Sequence, residues 1–257
     1  MRLPPCRLFP FLMLAACPES HSQDPPADSL FDAARDAPQD AGSDAAAPAD
    51  FGGAPTATLQ GRVIFDWYNG RPAIPARNKQ IGVVGGGAAT LTGMDGSYLL
   101  TVPRDTPFVL LANLPGEISV QSQLTVPAAA VTAELHVIDI DKYVGTLARL
   151  GAPSRAFDTG AVAVRFLGTT QGGYAAAIDA MHDGAFVFVG TSSPVPSTTT
   201  QSGGDTVYFY NVAPGPTRLT LTPPPGQPAC RDARAPGSGS YLVTATTLTE
   251  IVLDCAR

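Results

Sequence analysis

Three histidines and four cysteines make up a sparse reactive inventory for a chain of 257 residues. The tightest grouping is His182 with Asp179 and Asp183, an imidazole set between two carboxylates, which is the kind of set that holds a metal ion or moves a proton. It supports the reading of an accessory or degenerate metal-dependent hydrolase with a site near His182. Asp183-Gly184 follows at once, however, and that dipeptide makes tight turns between strands, so a turn is the simpler account. His21 and His136 have no comparable neighbours in sequence. Neither a His-Glu-x-x-His helix nor a Gly-x-Ser-x-Gly elbow occurs. Gly82 and Gly85-Gly86-Gly87 lack the following helix and the lysine that a phosphate loop needs. Asp139, Asp141 and Asp158 could meet around calcium, but capping and solvated turns use aspartates far more often. Trp67 and Tyr68, beside Asn69-Gly70, offer flat faces with polar edges and are the candidate ligand contacts, for a sugar or a peptide. The expectation is a protein that is not an enzyme, with no catalytic residues, no metal and no cofactor.

The cysteines point elsewhere. Arg2 and Arg7 precede the apolar run Leu8-Phe9-Pro10-Phe11-Leu12-Met13-Leu14, which ends on Ala15-Ala16-Cys17. A charged start, a short apolar stretch and small residues at its end read as an export signal. The stretch is too short to span a bilayer, which takes about 20 apolar residues. Leu14-Ala15-Ala16-Cys17 also resembles the lipobox of bacterial lipoproteins. The resemblance implies that residues 1–16 are removed, that the Cys17 thiol is acylated, and that the new amino terminus is acylated too. Three acyl chains exceed the two signals that stable anchoring requires. The expected location is the cell envelope, lipid-anchored at the outer membrane, on its periplasmic face or at the cell surface. With Cys6 discarded and Cys17 lipidated, Cys230 and Cys255 are left as one disulfide in an oxidising compartment.

The formal net charge of −6 becomes about −8 once Arg2 and Arg7 are lost. Such a surface repels nucleic acid, and no basic patch or base-stacking motif offsets it. The expected partners are therefore the membrane, through the lipid, and an envelope protein or polysaccharide. From Cys17 to Pro55 the sequence is rich in Asp, Ala and Pro and poor in large apolar residues. It cannot offset its chain entropy by burial, so a disordered tether is expected, with a coil span on the order of 35 Å. Asp24, Asp28, Asp32, Asp36, Asp40 and Asp44 would stack like charges along any helix. They also lack the Gly and closing Glu of a calcium loop.

From Thr56 the pattern becomes β. Short runs rich in branched residues cover 59–65, 79–84, 89–92, 98–102, 108–111, 118–121 and 131–138, separated by Gly- and Pro-rich turns. Asp95-Gly96 reads as a hairpin turn. Gly61-Arg62-Val63, then Ile74-Pro75, then Thr92-Gly93-Met94-Asp95-Gly96-Ser97-Tyr98-Leu99-Leu100-Thr101-Val102-Pro103 resembles the carboxypeptidase regulatory-like domain. That resemblance implies a transthyretin-like β-sandwich with a non-catalytic, accessory role. Residues 139–158 break the pattern: Ile140, Tyr143, Val144, Leu147 and Leu150 fall at helical spacing, Asp139 or Asp141 can cap the start, and Gly151 can end the helix.

A second set of runs follows at 161–166, 174–178, 185–189, 206–210, 217–221 and 250–253. Phe209-Tyr210-Asn211-Val212-Ala213-Pro214-Gly215 leading to Leu219-Thr220-Leu221 resembles a hairpin of the same superfamily. Ser192 to Ser202 reads as a long loop, and such loops are the first place to seek a partner contact. The expected fold is all-β: two small transthyretin/Ig-like β-sandwich domains, 56–138 and 159–257, joined by a short helix within 139–158, after a disordered N-terminal tether. The whole order is similar to that of envelope lipoproteins of myxobacteria.

Overall fold

The computed structural model describes residues 53–65, 74–168, 172–189, 193–202 and 205–256. Cys17, the tether up to residue 52, His21, Trp67 and Tyr68 lie outside them. The described part of the chain is all-β with one short helix, and its strands build two sandwiches.

Before the helix come β1 (Thr56–Phe65), β2 (Ile74–Pro75), β3 (Gln80–Val83), β4 (Ala89–Leu91), β5 (Ser97–Pro103), β6 (Phe108–Asn113), β7 (Ser119–Leu124), β8 (Ala130–Thr132) and β9 (Leu135–Val137). Strand β1 organises one layer. It pairs antiparallel with β2 and β5 on one side and parallel with β8 and β9 on the other. Its Ala57, Leu59 and Val63 alternate into the core, as a strand with one wet face requires. The expected single strand 131–138 is divided, because the Ala133 carbonyl turns toward the Tyr98 hydroxyl, which donates to it at 2.6 Å. That carbonyl passes so close to Gly61 that a Cβ there would lie 1.7 Å from it, so the Gly of Gly61-Arg62-Val63 is a close-approach residue.

The helix α1 (Ile140–Arg149) starts where Asp139 accepts from the backbone N–H groups of Asp141 and Lys142, the usual cap for orphan donors. It ends at Gly151, whose φ of +64° suits glycine. Tyr143, Thr146 and Leu147 form its buried face, whereas Val144 stays exposed.

After the helix come β10 (Gly160–Leu167), β11 (Ala175–Ile178), β12 (Gly184–Val189), β13 (Ser193–Pro196), β14 (Thr206–Val212), β15 (Gly215–Thr217), β16 (Leu219–Thr222), β17 (Arg231–Asp232), β18 (Tyr241–Val243) and β19 (Thr247–Asp254). Within the segment expected as a loop from Ser192 to Ser202, Ser193–Pro196 is an edge strand instead, because Val195 finds a ladder partner in Val187. Its two prolines suit an edge strand, where a missing N–H need cost no ladder bond.

The two sandwiches share a layer. A ten-stranded sheet runs β13-β12-β14-β10-β19-β7-β6-β3-β4, with β17 also on β19, so strands from both sides of the helix belong to it. The junction is the parallel pairing of β19 with β7, over Thr247↔Ser119, Leu248↔Val120 and Thr249↔Gln121. One face carries Ala161, Ala163, Leu248, Phe186 and Tyr208 into the same buried cluster as Tyr143, Leu147, Leu59 and Leu135. The opposite face carries Val162, Val164, Phe166, Ile251 and Leu253 into a second cluster with Ala176, Ile178 and Tyr241, residues of the two-stranded sheets β11-β16 and β15-β18.

Three turns expected to close hairpins do something else. The strands on either side of Asp95-Gly96, of Asp183-Gly184 and of Pro214-Gly215 belong to different sheets in every case. Each turn reverses the chain across the sandwich instead of along one ladder.

Candidate functional site

Asp179, His182 and Asp183 sit together at a corner between β11 and β12, but each faces its own partner. The Asp179 carboxylate accepts from the backbone N–H of Arg218 at 2.7 Å and from the Thr217 hydroxyl at 3.1 Å. The Arg218 N–H is the main reason its carboxyl is held below the ordinary range. Asp183 accepts from the Asn211 side-chain amide at 2.9 Å. The His182 Nδ1 lies 2.9 Å from the Ala180 carbonyl, and its ring stands edge-on to Phe209 with centroids 5.1 Å apart. This geometry fastens a corner. It does not aim three groups at one point, and among the described residues no set of three His, Cys, Asp or Glu side chains is placed to hold a metal. Asp139, from the other acidic set, spends its carboxylate on the helix cap.

Gly85-Gly86-Gly87 forms the turn from β3 to β4, with Gly85 at a φ of +72°. It borders a groove of about 240 Å³ lined by Gln80, Gly82, Val84, Leu111 and Asn113 among others, so the lining named here carries amides and apolar groups and no charge.

Cys230 and Cys255 form a disulfide, with Cα atoms 4.2 Å apart and a sequence separation of 25. On the chain-entropy model a loop of that length stabilises the fold by about 3 to 4 kcal/mol.

The convergence of charged groups that sequence reasoning missed lies further along β19 from the disulfide. Glu250, in the middle of β19, is 2 % exposed. Its Oε2 accepts from Arg234 Nη1 at 2.6 Å, and Arg165 Nε stands 3.9 Å from its Oε1. Arg165 Nη1 lies 2.8 Å from His136 Nε2, which is 3.3 Å from Glu134 Oε1. Burial drives the Glu250 carboxyl upward, yet Arg234 and then Arg165 outweigh it, so the group is held below the ordinary glutamate range and stays ionised. The cavity among His136, Arg165, Tyr208 and Glu250 is only about 10 Å³, the size of one water at most. No substrate fits such a space, and its chemistry is that of a joint.

Arg234 is the centre of that joint. Besides Glu250, its guanidinium donates to the Ser122 hydroxyl at 2.9 Å and to the Glu134 carbonyl. Its own carbonyl accepts from Thr125 N–H at 2.7 Å. Ser122 in turn donates to the Glu250 carbonyl at 2.9 Å. Inward parity marks Arg165, with Ala161 and Ala163, and Glu250, with Leu248 and Val252. It is a weak signal in strands buried on both faces, and nothing in the sequence marks Arg234.

No protein-family model matches the chain, and no curated protein sequence is a significant match. Among solved structures, a mutant of the shaft pilin SpaA from Lactobacillus rhamnosus GG is 13 % identical, with a TM-score of 0.27 over 79 % of this chain and 99 % of that one. A DUF3823 family protein from Bacteroides ovatus is 10 % identical, with a TM-score of 0.26 over 79 % of this chain and 100 % of that one. The minor pilin GBS52 of Streptococcus agalactiae is 9 % identical, with a TM-score of 0.22 over 78 % and 97 %.

Proposed function

We propose that this protein is an envelope-anchored lipoprotein that presents two β-sandwich modules, 56–138 and 159–257, for binding or structural contact, without catalysis of its own. The observation that carries the reading is the order of residues at the start: Arg2 and Arg7, the apolar run to Leu14, Ala15-Ala16 and then Cys17. A thiol at that place is the attachment point that a lipid anchor needs. The Cys230–Cys255 disulfide supports the same compartment, since such bonds persist where the surroundings are oxidising. The reactive side chains add support from the other direction. Asp179 and Asp183 hold a corner, Asp139 caps a helix, and Glu250 is sealed inside a joint.

On this reading the Asp-, Ala- and Pro-rich stretch is a tether between lipid and fold, and the contacts are made by loops and sheet edges. Trp67 and Tyr68 are the first candidates, toward an envelope protein or polysaccharide. The test is metabolic labelling with radioactive palmitate in the producing bacterium, comparing the natural chain with Cys17→Ser. Label should be incorporated into the natural chain and lost in the variant, which should also leave the membrane fraction. Label retained by Cys17→Ser, or absent from the natural chain, overturns the anchor.

A further inference from the structure

Beyond Thr249↔Gln121 the two strands at the junction part company. The register of β19 with β7 stops there, while β19 continues along β10 as far as Asp254. The space in the fork is filled by residues 231–234. Arg231 and Asp232 pair antiparallel with Asp254 and Leu253, and Ala233 N–H donates to the Val252 carbonyl at 2.8 Å. Because β10 occupies the other side of β19 throughout, this segment stands on the side of β7, and Arg234 reaches across to it through Thr125, Ser122 and Glu134. It is a wedge with one edge on each sandwich.

Besides these contacts the wedge is held by the Arg234–Glu250 ion pair and by the Tyr241 hydroxyl, which donates to the Asp232 carboxylate; its two flanks add little. Before it runs Pro223-Pro224-Pro225-Gly226, and after it Pro236-Gly237-Ser238-Gly239-Ser240. Gly226, Gly237 and Gly239 all have positive φ, and a Cβ at any of them would meet nothing within 4 Å, so both flanks are open turns. The Asp232 carboxylate ties its own turn by accepting from Arg234 N–H at 2.8 Å and Ala235 N–H at 2.7 Å. The one covalent attachment is Cys230, directly before the wedge, to Cys255, directly after β19.

We propose that the Cys230–Cys255 disulfide is a redox-sensitive lock on the seam between the two sandwiches, acting through the wedge that carries Arg234. The reductant is a dithiol. Its thiolate attacks one cystine sulfur, the S–S bond breaks, and the second thiol resolves the mixed disulfide. Two electrons and two protons end on Cys230 and Cys255 as thiols, and the reductant leaves as its own cyclic disulfide. Freed at that end, the wedge frays from β19. Arg234 withdraws from Ser122, Thr125 and Glu134, and the short parallel seam opens locally while the remainder of each sandwich stays folded.

The experiment is amide hydrogen exchange on the full chain, with and without dithiothreitol, repeated on the paired variant Cys230→Ser with Cys255→Ser. Reduction should speed exchange at Thr125, Leu248 and Glu250, whose N–H groups face the wedge and the seam, by about tenfold or more, while Val187 and Val207 of β12 and β14 change far less. In Arg234→Met the seam should already exchange fast, and reduction should add little to it. Two results overturn the lock: faster exchange confined to residues near 230 and 255 with the seam unmoved, or an equal rise at every amide, which is what general destabilisation would give.

Discussion

The corner at His182 and the joint at Glu250 invert one another. At the corner, two carboxylates and an imidazole adjoin in sequence and bind separate partners, Arg218 and Thr217 for Asp179, Asn211 for Asp183 and Ala180 for His182. At the joint, His136, Arg165, Arg234 and Glu250 come from four distant places in the chain and meet within a few ångströms. Proximity in sequence gathers turn-forming groups, whose short polar side chains satisfy local backbone. Convergence in space is set by which strands lie side by side, and the sheet order decides that only after folding.

The contrast can be broken most forcefully at Arg234. Arg234→Met should destabilise the protein by about 3–5 kcal/mol, because it leaves the Glu250 charge buried with Arg165 at a distance as its main compensation; equilibrium urea unfolding measures this, and a loss below about 1 kcal/mol would make the joint no stronger than the corner. A smaller effect sharpens the same point through pH. The folded carboxyl of Glu250 titrates below its ordinary value of 4.5, so its contribution is complete above that value and disappears as the pH falls through the lowered one. Stability of the natural chain should therefore fall on acidification below about pH 4.5 more steeply than that of Glu250→Gln, as thermal melts across that range would record. The smallest effects belong to the corner. Asp179→Ala should lower stability only slightly, as an exposed turn that forfeits an accepting carboxylate does. His182→Ala should lose still less, with metal content by mass spectrometry unchanged from the natural chain. A fall in metal content on removing His182 would turn the corner back into a site.

The sequence makes strands and turns legible to different degrees. Alternation in Ala57, Leu59 and Val63 gave β1 its inward face, and Asp139 with Gly151 bracketed α1 closely. The turns at Asp95-Gly96, Asp183-Gly184 and Pro214-Gly215 were equally plain as reversals of the chain. What they did not contain is whether the returning strand lies beside its predecessor or across the sandwich from it, since turn chemistry fixes local φ and ψ and not which edge is vacant. For the same reason the shared ten-stranded sheet was hidden: the seam of β7 with β19 joins residues more than a hundred positions apart. The disulfide was readable by elimination among four cysteines, whereas the wedge it secures has a two-residue strand and no hydrophobic signal at all.

The far margin of the large sheet has its own consequence. Ser197 N–H donates inward to Ala185, so with Val195 opposite Val187 the outward positions of β13 are Pro194 and Pro196, and neither has an N–H to offer. That rim displays carbonyls alone. A neighbouring chain seeking to extend the sheet needs a donor at alternate positions and finds none along this strand. The two prolines thus deny a second copy of this chain the donors it would need to zip onto that margin.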